Sequence, residues 1–518
     1  MKTAILDGGS LTITIEDVVA VAREDAKVEI PDYIKEKVKN SRRVLEEILD
    51  SETAVYGVNT GFGALARVKI PREDQERLQL NMVLSHSVGT GKPLPKDIVR
   101  ATMLLRANML ARGYSGVRLE VLETLVKMLN EGVHPIVPEK GSVCASGDLA
   151  PLAHIALVLI GEGKAEYKGE LLPGKEALKK AGIAPLKLKA KEAMTLINGT
   201  QLTTAISALA IHDAENLRKT AEIAAALSLE ALNGVLDAFE GRINSLRPHT
   251  GQTLTSRNIR QLVKGSKLII SGMEAMKKFG YPHDPYTLRC IPQVLGAARD
   301  AIAYARQTVE TELNSVTDNP LIFQDDKTCI SAGNFHGQPL AIAMDTLGIA
   351  ITIIGGFSER RIARLIDDKL NRGLPPFLVP KEAKEGLNSG FMLAQYTAAA
   401  LASENKVLAH PASIDSIPTS ANFEDYVSMG ATAARKAMDI IENTWRILAI
   451  ELLCACQAAE LQQAEKLGLG TRIAYSTIRS EVPMLREDRV LSDDIEKVYE
   501  MIRTGKLVKE VEKHVRLV

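Results

Sequence analysis

The sequence predicts a mainly α-helical protein. An N-terminal globular domain over residues 1–200 is followed by a long-helix bundle over 201–480 and by outer helices over 481–518. Three observations carry this reading. Beyond residue 200, apolar residues recur at three- and four-residue steps through long segments rich in Ala, Leu and Glu. Before residue 200, shorter periodic segments alternate with Gly-rich loops that hold most of the unusual residues. No internal repeat or low-complexity linker interrupts the chain.

Taken in order, two short strand-like segments flank Asp7-Gly8-Gly9-Ser10, which reads as a hairpin. Segments 34–49 and 97–108 carry helical spacing. The loop Tyr56-Gly57-Val58-Asn59-Thr60-Gly61-Phe62-Gly63 tolerates close backbone approach, and no strand–turn–helix unit makes it a dinucleotide fingerprint. Helices are expected over 202–232, 296–315, 345–361, 389–406 and 430–461. The longest apolar run, 346–357, follows Asp345, is too short to span a bilayer and reads as a buried helix. Ala-rich segments at 398–402 and 449–458 suit close helix packing. Helices apolar on several faces point to burial against another subunit. From Ser480 the tail is charged and amphipathic, fitting one or two short outer helices.

The chain has 518 residues, 46% apolar and 25% charged, long enough for more than one core. Lys+Arg and Asp+Glu each number 64, so no basic excess points to nucleic acid or an anionic membrane. Five cysteines at no framework spacing suit a reducing compartment. Cys454 and Cys456 read as core thiols. The N-terminus meets Asp7 before any secretory apolar region, so a cytoplasmic protein is expected. His134, His154, His212, His249, His336, His410 and His514 form no metal-ligand spacing, and no metal is expected.

The most informative block is Gly141-Ser142-Val143-Cys144-Ala145-Ser146-Gly147-Asp148-Leu149-Ala150-Pro151-Leu152. Attack of the Gly147 nitrogen on the Ala145 carbonyl, with loss of two waters, converts Ala145-Ser146-Gly147 into 4-methylideneimidazol-5-one. That ring is an electron-poor alkene built from backbone. Loss of ammonia from an α-amino acid needs such an electron sink, because the β-hydrogen is barely acidic and the amine leaves poorly. The sequence offers no identifiable pyridoxal-phosphate site.

This block resembles the signature of the histidine and aromatic amino-acid ammonia-lyases and aminomutases. Further blocks extend the resemblance over roughly residues 50–470: 82–86, 196–201, 284–290, 317–320, 333–336, 387–391 and 415–422. The resemblance implies the self-made ring as electrophile, with no external cofactor, and a homotetramer in which each active site draws on three chains. Tyr56 would take the β-proton. Arg289 would clamp the substrate carboxylate in a bidentate pair. Tyr286, three residues before it, would share its face on a helical turn. Asn198 and Tyr286 would orient the amine or the ring. Phe335 would pack against substrate or ring, or else belong to the core. Asp148 fits either ring closure or a helix N-cap. Cys144, where the family commonly has a small residue, reads as a buried, inert thiol.

The substrate implied is L-histidine, giving trans-urocanate and ammonia. Ser85-His86 resembles the histidine-specific enzymes, and Glu424 falls where those enzymes carry a Glu that contacts the imidazole. A carboxylate accepts the ring N–H. Three positions depart from that pattern: His283 replaces a Gln, and Phe423 and Tyr426 replace Gln and His. The added apolar surface suits a phenyl ring, so a phenylalanine or tyrosine lyase, and a 2,3-aminomutase using the same electrophile, stand as alternatives. The Gly-Ser-Ser-x-x-Met-Pro segment of the fumarase and aspartase type is not found. A non-catalytic scaffold would leave Tyr56, His86, Asn198, Arg289 and Glu424 without a reason.

Overall fold

The structure, a computed structural model, describes residues 3–7, 13–51, 54–383 and 386–518. It is predominantly helical, with four small sheets among the described residues. The chain divides into two compact units. The first holds Met1–His212, Ala305–Asp345 and Pro411–Arg435; the second holds Asp213–Tyr304, Thr346–His410 and Lys436–Val518.

The first unit begins with Thr3–Ile5, which pairs in parallel with Lys27–Glu29. A hairpin at Asp7–Ser10 was expected; from residue 8 it lies outside the described residues. Its second arm is helical from Ile15, because Thr14 caps the helix Ile15–Arg23 and Asp17 completes a capping box. The helix Asp32–Asp50 buries Ile34, Val38, Ser41, Val44 and Leu45, one face at helical spacing. The helix Lys96–Ala111 is buried at every residue from Ile98 to Ala111. An antiparallel sheet of Val133–Pro135, Lys164–Tyr167 and Glu170–Pro173 brackets the loop that leads into the helix Leu149–Leu159. The short helix Glu192–Ile197 stops at Asn198, whose backbone is extended.

The long helices fall close to their expected bounds: Gln201–Ala231, Ile291–Leu313, Gln338–Ile366, Met392–Leu408 and Gly430–Leu461. Ile291–Leu313 starts earlier than expected, since Pro292 sits in its first turn, where no N–H is needed. Asp345 reads in the sequence as a helix start but lies inside Gln338–Ile366. Its carboxylate accepts the backbone N–H of Ser413 at 2.7 Å, so a buried acid is satisfied away from a helix end. Gln338–Ile366 is long and apolar enough to cross a membrane by length and composition, and its most apolar stretch is 61% buried. The tail forms Leu491–Arg503 and Lys506–Glu512.

In the second unit, Cys454 and Cys456 are fully buried, and burial pushes both thiols up, that of Cys456 to about 12. A buried carboxylate organises the same core. Glu451 accepts from Arg361 Nε at 2.5 Å and Ser228 Oγ at 2.7 Å on one oxygen, and from Ser358 Oγ at 2.6 Å and Arg361 Nη2 at 2.8 Å on the other. Removing one partner of such a pair strands the other charge. Glu451→Ala is therefore expected to cost about 3–5 kcal/mol, read as a lower thermal midpoint; an unchanged midpoint would remove this pair from the stability of the core.

Candidate active site

The site is built on the loop 141–148 in the first unit. Cys144 adopts a left-handed backbone, φ 52°. Its conformation is held by Ser428 Oγ, which donates to the Cys144 carbonyl at 2.9 Å, and by Met429 N, which donates to Val143 O at 3.0 Å. The Cys144 side chain is fully buried, and burial raises its thiol well above the usual range, as expected of an inert cysteine. Asp148 stands at the N-cap of Leu149–Leu159, yet its side chain does not cap that helix. It accepts instead from Ser142 Oγ, Thr203 N and Thr203 Oγ1, each at 2.8 Å. Burial raises its pKa despite these donors.

Gly147 and Gly199 bring two backbones into contact. A Cβ on Gly147 (φ 76°) would lie 2.1 Å from Gly199 O, and one on Gly199 (φ 125°) would lie 2.6 Å from Gln201 Oε1. In this crossing the Ser146 carbonyl oxygen accepts from Asn198 Nδ2 at 2.9 Å and from Gly199 N at 3.2 Å. Asp148 N donates to Gly199 O at 2.8 Å. Gly147 N and Ala145 O, the atoms that ring closure must join and expel, make no hydrogen bond among the described residues. The carbonyl that the ring retains therefore carries two donors, while the reacting atoms are free. These residues fit 4-methylideneimidazol-5-one.

A cavity of about 860 Å³ opens over this loop and is lined by Tyr56, His86, Ala145, Ser146, Asn198, Phe335 and Glu424. The structure thus gathers most of the expected site residues into one space. Tyr56 OH accepts the Gly63 backbone N–H at 2.9 Å. Gly63 in turn lies against the wall segment 420–422: a Cβ there would meet Ser420 Oγ at 2.8 Å. Glu424 accepts from Ser146 Oγ at 2.6 Å through Oε1 and from Thr419 Oγ1 at 2.8 Å through Oε2. Asn198 Oδ1 is buried without a hydrogen-bond partner.

His86 Nδ1 lies 2.8 Å from the carbonyl of Met82. A carbonyl only accepts, so Nδ1 carries the proton and Nε2 is an acceptor. The Phe62 ring packs edge-on at 5.4 Å between centroids. Burial lowers the His86 pKa, opposed by the Met82 hydrogen bond and by Glu424.

Sequence reasoning missed several cavity residues. Phe62 was signalled by an aromatic in a polar loop of a chain with 4% aromatics. His336, among the histidines without metal-ligand spacing, lines the cavity, stacked on Tyr426 at 6.1 Å and 15°. Asn319 also lines it, within the quoted block 317–320. Phe423 and Tyr426, the noted departures, line the same wall.

His283, Tyr286 and Arg289 lie in the second unit, around a cavity of about 570 Å³. Tyr286 and Arg289 share the single turn Tyr286–Arg289, with the guanidinium 4.8 Å from the ring centroid, as their spacing predicts. Arg289 Nε is buried without a partner. Asp284 anchors this segment by accepting from Val235 N at 2.6 Å and Arg372 Nη2 at 2.7 Å.

Because its pKa is lowered, His86 is expected to stay neutral at pH 7 and to gain its proton only below the ordinary histidine value of about 6.5. The stability that depends on the neutral ring is then lost as pH falls through that lowered value. Ring ¹⁵N NMR, assigned with His86→Gln, checks this; a protonated Nε2 at pH 7 contradicts it.

Residues 13–480 match the profile of the aromatic amino acid lyases. The chain is 53% identical over 517 residues to a histidine ammonia-lyase of Alkaliphilus metalliredigens, covering 100% of both. It superposes on the tyrosine aminomutase of Streptomyces globisporus with TM-score 0.95 and 38% identity, covering 100% of both chains. It superposes on the histidine ammonia-lyase of Trypanosoma cruzi with TM-score 0.90 and 41% identity, covering 99% of this chain and 96% of the other. With its catalytic loop, cavity and full-length likeness in agreement, the chain belongs to the aromatic amino acid lyase family.

Proposed function

We propose that the protein is a carbon–nitrogen lyase that removes ammonia from L-histidine to give trans-urocanate, using 4-methylideneimidazol-5-one formed from Ala145, Ser146 and Gly147. One observation carries the choice of substrate. Two groups suited to an imidazole, the acceptor Nε2 of His86 and the carboxylate of Glu424, line one cavity with Ser146. The 53% identity to a protein named histidine ammonia-lyase supports the same reading.

The ring supplies an electron-poor alkene that takes up electron density as the amine departs. The chain's own residues do the rest. Loss of the Ser146 hydroxyl leaves Glu424 Oε1 without its donor, free to accept an imidazole N–H. Asn198 Oδ1, unpartnered, accepts from the substrate amine. Tyr56 takes the β-proton, the Cα–N bond breaks, and the Cα–Cβ bond becomes double. Phe335 closes the wall beside the substrate. Arg289 pairs with the carboxylate, flanked by Tyr286 and His283.

The protein acts as a homotetramer in this proposal, with Tyr286 and Arg289 reaching the cavity of another subunit. Supporting that assembly, Leu393, Tyr396 and Val407 on Met392–Leu408 are exposed, apolar side chains that burial against a partner would remove from water. The aromatic pair Phe423 and Tyr426 favours a second reading, in which a phenyl or phenol side chain is accepted as lyase or 2,3-aminomutase substrate.

Two measurements test this. The mature chain should weigh two waters less than its sequence, and histidine should yield near-ultraviolet urocanate absorbance. An intact mass equal to the sequence removes the lyase; a β-amino acid, cinnamate or coumarate in place of urocanate moves the assignment to the second reading. Tyr56→Phe is expected to lower kcat by about 10²–10⁴-fold with the mass deficit intact; retained turnover would exclude Tyr56 as the base.

A further inference from the structure

Arg106 lies on the buried helix Lys96–Ala111 and is 1% exposed. It forms no ion pair among the described residues. The nearby Asp318 is engaged by Lys191 at 2.8 Å, and Asp148 by Ser142 and Thr203. Arg106 Nη1 donates to the carbonyls of Thr195 at 2.8 Å and Asn198 at 2.7 Å, while Nε and Nη2 have no partner. Burial lowers its pKa to about 10, so it remains a cation at neutral pH. A buried guanidinium without a carboxylate is costly, and capping two carbonyls does not require a charge.

One of the two carbonyls leads directly to the site. The Asn198 carbonyl that receives Arg106 and the Gly199 N–H that donates to Ser146 O belong to the same peptide. A cation on the oxygen side polarises the N–H on the other, so the two hydrogen bonds strengthen each other. We propose that Arg106 is a positioning residue for the electrophile: it fixes the Asn198–Gly199 peptide and delivers buried positive charge through it to the Ser146 carbonyl oxygen.

This rests on the ring-forming reading above, and its chemistry explains why that oxygen matters. Gly147 N bonds to Ala145 C, and the Ala145 oxygen leaves as water with the protons of the Gly147 and Ser146 nitrogens. Ser146 then loses its Cα proton and its hydroxyl as the second water. Removing the proton from Gly147 N and removing it from Ser146 Cα both place negative charge on Ser146 O. Electron density delivered to the finished alkene reaches the same atom through conjugation. Preorganised donors aimed where charge develops carry large rate effects.

The test compares Arg106→Lys, Arg106→Gln and Arg106→Met with the wild-type protein. It follows the rate at which the two-water mass deficit appears after folding, then kcat and KM separately, with thermal midpoint and assembly state as controls. Gln keeps a donor without the charge, and Lys keeps the charge. Arg106 touches no substrate, so KM should hold while kcat in Gln and Met falls by about 10–10²-fold, with slowed appearance of the deficit and partial rescue by Lys. Folded Gln or Met protein with wild-type ring formation and kcat would overturn the proposal. So would Lys behaving like Gln, or Gln and Met failing to fold while Lys is fully active, since either pattern describes a merely structural residue. A wild-type chain without the mass deficit would defeat the ring-forming reading itself, a result separate from any Arg106 effect.

Discussion

Everything in the first unit's site depends on the crossing of Gly147 with Gly199. Two chain segments far apart in sequence approach so closely that Gly147 has no room for a Cβ against the Gly199 backbone, while Gly199 is denied one by Gln201 and Thr317. The contact does more than allow packing. It places the Gly199 N–H and the Asn198 amide on one carbonyl oxygen, while Gly147 N and Ala145 O make no hydrogen bond among the described residues. Ordinary loops satisfy their backbone groups evenly, through water or turns. Here satisfaction is uneven, and the unevenness matches what ring closure requires. The same geometry suits the conversion of a stretch of common residues into an electrophile by ring closure, without an external group.

Much of the fold was legible in the sequence, for reasons visible at particular residues. Gly430–Leu461 is long and periodic, so its bounds could be read from the apolar pattern alone. Asp345 misled because an acid before an apolar run looks like a helix start, and only the tertiary contact to Ser413 N shows otherwise. The parallel pairing of Thr3–Ile5 with Lys27–Glu29 was invisible, since local turn chemistry near Gly8-Gly9 pointed to a neighbour instead.

The site divides in a similar way. His86, Asn198 and Phe335 sit in recognisable blocks, Tyr56 opens a Gly-rich loop and Glu424 follows the block 415–422, so the sequence could nominate them, and one cavity holds them all. Tyr286 and Arg289 were predicted to share a face because a single turn imposes it. His336 escaped notice because spacing arguments look for ligands, whereas its role in the wall follows from stacking on Tyr426. Arg106 escaped because periodicity marks the helix as buried without saying which carbonyls its side chain would meet. A charge inside the apolar stretch Met103-Leu104-Leu105-Arg106-Ala107 was the available signal.

The contact between Gly63 and Ser420 joins two walls of the cavity. The loop whose amide holds the Tyr56 phenol meets there the loop leading to Glu424, in which three successive residues, Ser420, Ala421 and Asn422, hold left-handed backbone. A Cβ at position 63 would press on the Ser420 hydroxyl oxygen at 2.8 Å. Any side chain larger than hydrogen there would displace that hydroxyl and disturb the phenol and carboxylate walls together.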